Sequence, residues 1–141
     1  MEVEFHTGLA EPLDHAARLL RKALRAGGRV CVASPHWEAL SRQLWVSEPG
    51  EFMAHARPGV AAAAWRRSAL WLLPTFDTAV DGSPRPPVWV NLGANEPSRF
   101  DGCERLIELV ARADEDVAAG RRRWRAYKAQ GWEPVLRYDG R

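Results

Sequence analysis

The chain has 141 residues, of which 46% are hydrophobic and 27% charged. These values are ordinary for a globular protein, so we expect a single domain over residues 1–141. The formal net charge is only +2, but residues 121–141 hold seven cations and two anions, so the positive charge is local. No window approaches the ~18 apolar residues of a membrane span, and the acidic opening MEVEFHTGLAEP is unlike a signal peptide. We therefore expect a cytoplasmic protein.

The first 28 residues predict a strand followed by a helix. Val3–Phe5 lies in a run that alternates apolar and acidic residues, as a strand does. Pro12 suits the first turn of a helix, and the Gly27-Gly28 pair ends that helix. Four apolar residues between these points recur at i, i+4, i+7 and i+11 and so form one face: Leu13, Ala17, Leu20 and Leu24.

A second strand and helix follow directly. Arg29–Ala33, RVCVA, is predicted to be a short buried strand. Ser34 offers an N-cap and Pro35 a first-turn proline, so a helix is predicted from there through Trp45. Residues 46–64 contain two prolines and two glycines, which indicates an irregular loop.

The second half is predicted to contain two more strands and two helices. Ala69–Leu73 and Val88–Leu92 are short apolar runs, separated by a proline-rich loop over residues 74–87. A helix is predicted from near Phe100, and a last helix over Glu115–Gln130; whether they are one bent element is left open. The apolar stripe of the first of these helices consists of Leu106, Ile107, Val110, Ala113 and Val117.

The order β-α-β-α-β-β-α-α predicts an α/β fold. Continuously apolar strands between helices indicate three layers, with a mostly parallel sheet flanked by helices in a Rossmann-like topology. Such folds often bind nucleotides. The first strand, however, is followed by HTGLAEP and the second by SPHW, and neither contains GxGxxG or GxxxxGK[ST]. We therefore expect no phosphate-binding loop and no cofactor.

Catalytic and metal-binding patterns are not found in the sequence. Cys31 and Cys103 belong to no CxxC pair, and no GxSxG nucleophile motif is present. The histidines are scattered and none has a ligand spacing such as HExxH: His6, His15, His36 and His55. We therefore expect neither a metal site nor catalytic residues.

The segment GRRRWRAYKAQGWEP, near the end of the chain, is the strongest candidate site. In a helix, Arg121, Trp124, Arg125 and Lys128 share one face, while Tyr127 lies off that face and is predicted to pack inward. Guanidinium groups beside an indole can hold the carboxylates and the apolar end of an acidic peptide that finishes in an aromatic residue. Two alternatives stay open: a solvated basic helix anchored to the core by its tryptophan, and direct single-stranded nucleic-acid binding.

A second candidate surface lies in LWVSEPGEFMAH, where Trp45 and Phe52 flank a loop. Both aromatic side chains could complete the core beneath that loop. Alternatively, they form a hydrophobic patch for a permanent protein partner, because aromatic residues anchor such interfaces.

Three stretches, in this order, resemble one known family. They are AGGRVCVA after the first helix, ALSRQLWVSEPGEFMAH in the middle, and RRRWRAYKAQGW at the end. Together they resemble the chi subunit of bacterial DNA polymerase III, an accessory protein of the clamp-loader complex. The similarity spans nearly the whole chain.

This resemblance implies an α/β fold without a phosphate loop and a protein that is not an enzyme by itself, but a subunit of a DNA polymerase (nucleotidyltransferase) complex in DNA replication. It implies a heterodimer with the psi subunit, which would contact Trp45 and Phe52. It also implies binding of the acidic C-terminal tail of single-stranded-DNA-binding protein. The implied tail-binding residues are Arg121, Trp124, Arg125 and Lys128. The alternative is a module that binds single-stranded nucleic acid directly.

Overall fold

A computed structural model describes residues 1–46, 54–80 and 84–140 of the chain. The strands in these ranges are β1 (Glu2–Leu9), β2 (Val30–Ala33), β3 (Leu70–Leu73), β4 (Val88–Leu92), β5 (Arg105–Ala111) and β6 (Val135–Asp139). The helices in the same ranges are α1 (Pro12–Arg25), α2 (Trp37–Val46), α3 (Ala62–Arg67) and α4 (Asp114–Ala129).

The strands of the described ranges form one sheet in the order β3-β2-β4-β5-β1-β6, and every neighbouring pair is parallel. Helices flank this sheet. The predicted α/β fold is therefore confirmed. β4 has the predicted bounds. Four further elements begin within two residues of their predicted starts: α1, β2, α2 and β3.

Both faces of the sheet are buried, which explains why its central strands are continuously apolar. On one face, α1 and α2 cover residues such as Val32 and Ile107. On the other face, Cys31, Trp71 and Leu106 belong to a second core that α4 completes. Side chains of a strand alternate between the two faces, so each strand supplies both cores.

The helix predicted from near Phe100 is wrong. Arg105–Ala111 is strand β5, which lies between β4 and β1. Its residues Leu106 to Val110 are all buried, because a central strand is covered on both faces, and all of them except Glu108 are apolar. Apolar residues at consecutive positions satisfy a helical stripe as easily as a buried strand, so periodicity did not separate the two.

Two further elements were missed. Residues 46–64 were predicted to be loop, yet helix α3 begins within them, at Ala62, and extends to Arg67. Its Trp65 is buried. β6 was not predicted because all five of its residues are exposed, so they show no buried alternation. Among the described residues it pairs with β1 alone, in parallel, from Glu4↔Val135 to Thr7↔Asp139.

A buried polar cluster attaches α4 to the sheet. Arg123 is 4% exposed and donates from Nε to Glu108 Oε1 at 2.9 Å. The Tyr127 hydroxyl and Asn91 Nδ2 donate to the other oxygen of the same carboxylate, the latter at 3.0 Å. Burial raises the pKa of Glu108, and the positive charge of Arg123 works against that shift. Three donors thus converge on one carboxylate from β5.

Arg123→Met should lower the free energy of unfolding by about 3–5 kcal/mol, because it leaves the Glu108 carboxylate buried without its counter-charge. Arg122→Met is the matched control. Arg122 is exposed and its contact with Glu96 is 3.5 Å long, so its loss should cost less than about 1 kcal/mol. Urea denaturation of both variants measures the difference, and equal effects would contradict a structural role for the buried pair.

Candidate functional site

α4 divides its side chains between the sheet and the surface. Gly120, Arg123 and Tyr127 are buried against the sheet, and the inward position predicted for Tyr127 is confirmed. A Cβ at position 120 would come within 3.0 Å of Val110, so glycine lets the helix approach β5 closely. The side chains of Arg121, Arg125 and Lys128 are exposed on the adjoining side of the helix.

Trp124 lies at the boundary between these two sides. It is half-buried, and its ring centroid is 4.8 Å from that of Phe5 on β1. The tryptophan therefore does anchor the helix to the core, as one alternative expected. Its remaining surface faces a cavity, so anchoring does not account for the whole side chain.

The cavity beside Trp124 has a volume of about 230 Å³ and lies between α4, β1 and β6. Its apolar lining comes from Phe5, Val110, Val117, Gly120, Trp124 and Leu136. Thr7, Gly8, Arg121 and Asp139 complete the wall. Small-molecule sites usually occupy about 300–1,000 Å³, so this cavity suits one large side chain better than a whole cofactor.

The electrostatics of α4 are polarised along its length. Asp114, Glu115 and Asp116 occupy the first turn, where the positive end of the helix dipole favours them. Beyond the cavity, Arg125 and Lys128 continue the cationic side that begins with Arg121. A ligand with an apolar end in the cavity would therefore have its carboxylates near guanidinium and ammonium groups.

The second predicted surface lies on the other side of the sheet. Trp45, near the end of α2, is 56% exposed, so it does not complete the core. The neighbouring Leu44 packs in the core that α1 shares, whereas Trp124 packs against the core on the α4 side. Phe52 lies outside the described residues.

A family model described as DNA polymerase III chi subunit, HolC, matches residues 1–135. The chain belongs to this family. Membership makes it a subunit of the DNA polymerase III complex, with a role in DNA replication. No curated protein sequence matches the chain. Among the described residues of this chi-family chain, no helix is long and apolar enough to cross a membrane.

Sequence reasoning missed two polar clusters in this chi-family chain, the buried one on Glu108 and another around His6. His6 and His15 were treated as scattered, but their ring nitrogens are 2.9 Å apart, and Glu4 contacts His6 from the same strand. The only signal was the i, i+2 spacing of Glu4 and His6, which places both on one face of a strand. In the described part of the chain, no three His, Cys, Asp or Glu side chains are placed to hold a metal ion.

Trp124→Ala should lower the free energy of unfolding by about 1–3 kcal/mol, because it removes a half-buried ring and its contact with Phe5. Arg125→Ala should change that free energy by less than about 0.5 kcal/mol, since the side chain is exposed. Chemical denaturation followed by circular dichroism compares the two. An equally large loss in Arg125→Ala would show that Arg125 belongs to the packing of α4.

Proposed function

We infer that this chain is a non-catalytic adaptor of DNA polymerase III. It binds the acidic C-terminal tail of single-stranded-DNA-binding protein through α4 and the psi subunit of the clamp loader through the surface around Trp45 and Phe52. The observation that carries this proposal is the apolar cavity beside half-buried Trp124, at the edge of the exposed cations of α4.

The cavity and the cations fit two parts of one ligand. An aromatic side chain at the end of a peptide enters the cavity and contacts Trp124 and Phe5. Its terminal carboxylate then lies near Arg121, which forms part of the wall, and charge-assisted hydrogen bonds form there. Preceding acidic residues follow the helix surface toward Arg125 and Lys128.

The same helix supports the peptide better than direct nucleic-acid binding. Proteins that bind single strands stack successive bases on several aromatic side chains. Within α4, which is described throughout, Tyr127 is buried and Trp124 is half-buried. Trp132, just beyond the helix, packs on Phe100 with 4.6 Å between ring centroids. The helix therefore presents one partly exposed ring, that of Trp124, at a cavity, and not a row of exposed rings on which bases could stack.

The two surfaces suit a bridging role because the helices that carry them cover opposite faces of the sheet. A partner on α2 therefore leaves α4 accessible. Single-stranded DNA coated with its binding protein presents many tails. Holding one tail while gripping the clamp loader raises the local concentration of the polymerase, and such linkage can raise avidity by roughly 10²–10⁴.

An acidic peptide ending in Pro-Phe should bind this chain saturably, and removing the terminal Phe should weaken binding about 10- to 100-fold, because about 1.5–3 kcal/mol of side-chain burial is lost. Arg125→Ala should weaken the intact peptide by up to about fivefold. Calorimetry measures both effects. The effect of Arg125→Ala should become smaller as salt is added, because salt screens the charge contacts.

Arg66→Ala is the control for charge, because Arg66 is exposed on α3. It should leave peptide affinity unchanged. The tail site would be refuted if the peptide did not bind saturably at low salt, or if removal of its terminal Phe left the affinity unchanged. Binding of single-stranded DNA that is lost in Arg125→Ala, with no binding of the peptide, would establish direct nucleic-acid binding instead.

Trp45→Ala should weaken binding of the psi subunit by roughly 30-fold, since aromatic hot spots contribute about 2 kcal/mol or more. The same variant should bind the tail peptide normally. Calorimetry with purified psi subunit, alongside circular dichroism, gives the comparison. Parallel loss of both activities would indicate misfolding, and unchanged psi affinity would remove Trp45 from the interface.

A further inference from the structure

A larger cleft lies on the α1 side of the sheet. Its volume is about 650 Å³, within the range typical of small-molecule sites. The second half of α1 covers it, and the first residues of β2, β4 and β5 form much of its floor. The apolar part of the lining comes mainly from Leu19, Ala23, Val30, Val88 and Ile107.

A hydrogen-bonded chain of three side chains forms one wall. Glu4 is 8% exposed and accepts from His6 Nε2 at 2.9 Å and from Arg105 Nε at 2.7 Å. The other ring nitrogen of His6, Nδ1, lies 2.9 Å from His15 Nε2, which extends the chain to α1. The hydrogen bond from His6 is the main cause that lowers the pKa of Glu4, which therefore stays ionised. The carboxylate of this wall is thus already engaged.

The remaining charges around the cleft are positive. Arg18 and Lys22 lie four residues apart on α1, one turn beyond His15, and Arg137 faces them from β6. All three are exposed, and no hydrogen bond or ion pair joins them to another residue in the described part of the chain. Three cations without counter-charges around one cleft create a field that attracts an anion.

Aromatic surface stands beside these cations. Tyr138 is 45% exposed, and its ring centroid is 4.9 Å from that of His15 and 6.1 Å from that of His6. A tyrosine held in place by an imidazole behind it provides a platform on which a planar ring can stack. A small carboxylate would match the cations but would leave this platform and the apolar floor unused.

We propose that this cleft binds a nucleotide unit, with its phosphate held by Arg18, Lys22 and Arg137 and its base placed on Tyr138 and the apolar floor. A free nucleotide and a nucleotide within single-stranded DNA share this chemistry. The missing glycine-rich loop does not bear on the site, because that loop acts at the carboxyl ends of strands, whereas this cleft is built on the amino ends of β2, β4 and β5. It is also separate from the cavity beside Trp124, on the other face of the sheet.

The test uses the full chain and the variant Arg18→Ala/Lys22→Ala. The matched control is Arg66→Ala/Arg67→Ala, which removes the same charge from exposed positions on α3. The probes are deoxyadenosine monophosphate, a ten-residue oligothymidine and inorganic phosphate, titrated at low salt and followed by NMR. We expect at least one nucleotide probe to bind, with affinity reduced tenfold or more in the cleft variant and unchanged in the control. Binding of the monophosphate identifies a free nucleotide, and binding of the oligonucleotide alone identifies DNA.

The His15 imidazole gives a second readout. Burial, followed by the nearby His6 and Arg18, lowers its pKa in the unliganded chain. A bound phosphate favours the protonated ring and should raise that pKa, and this ligand-induced rise should vanish in the cleft variant. Tyr138→Ala should weaken binding of the nucleotide but leave binding of inorganic phosphate unchanged.

Three results would overturn the proposal. The first is no binding of either nucleotide probe, and the second is binding that the cleft variant leaves unchanged. The third is inorganic phosphate binding as tightly as the nucleotides, which would mean that the base contributes nothing. The acidic Pro-Phe peptide should bind the cleft variant normally. If the cleft variant no longer bound the peptide, the cleft would be the peptide site. The results of the α4 variants would then decide whether α4 contributes to peptide binding.

Discussion

The ion pair between Glu108 and Arg123 fixes the part of the molecule on which the candidate peptide site depends. α4, with the sequence DEDVAAGRRRWRAYKA, has few large apolar residues with which to hold a sheet. Besides the packing of Trp124, it is attached by donors from Arg123 and Tyr127 that meet one carboxylate on β5. A buried pair is weak support for net stability, because desolvation offsets much of the attraction. Its geometry nevertheless allows only a narrow range of helix positions.

That position determines where Trp124 lies. Glu108 is the register partner of Phe5 in the neighbouring strand, so both side chains point to the α4 face. With Arg123 held over Glu108, the next residue, Trp124, lies over Phe5. Gly120, one turn earlier, brings the helix close to Val110. The cavity therefore depends on the contact of Arg123 with Glu108, the packing of Trp124 on Phe5, and the absence of a side chain at Gly120. A shift of α4 along the sheet would close it.

The sequence predicts those features that depend on one element at a time. Apolar runs located β2, β3 and β4, and helical spacing correctly separated Tyr127 from the cationic side of α4. What it could not predict depends on pairing between distant segments. Glu108 looks like the polar side of a helix until β5 is known to lie between two strands. Arg123 is indistinguishable from Arg121 and Arg122 in the sequence, yet it alone of the three is buried. The contact of His6 with His15 likewise requires α1 to cross β1.

β6 lines both the cavity beside Trp124 and the cleft under α1. Within the described residues it pairs with β1 alone. The register of this pairing shifts between Phe5 and His6, which pair with Leu136 and Tyr138, so Leu136 lies at the cavity beside Trp124 and Tyr138 at the cleft under α1. The family match ends at residue 135, so both of these side chains lie beyond it, whereas α4 and the core of the sheet lie within it. The helix wall of the peptide site is thus part of what this chain shares with its family. The β6 side chains in these walls, Leu136 in the cavity and Tyr138 in the cleft, are residues that the match does not include. An exposed edge strand tolerates substitution more readily than a buried one, so ligand preference at both openings can change there without disturbing the Glu108–Arg123 pair that positions α4.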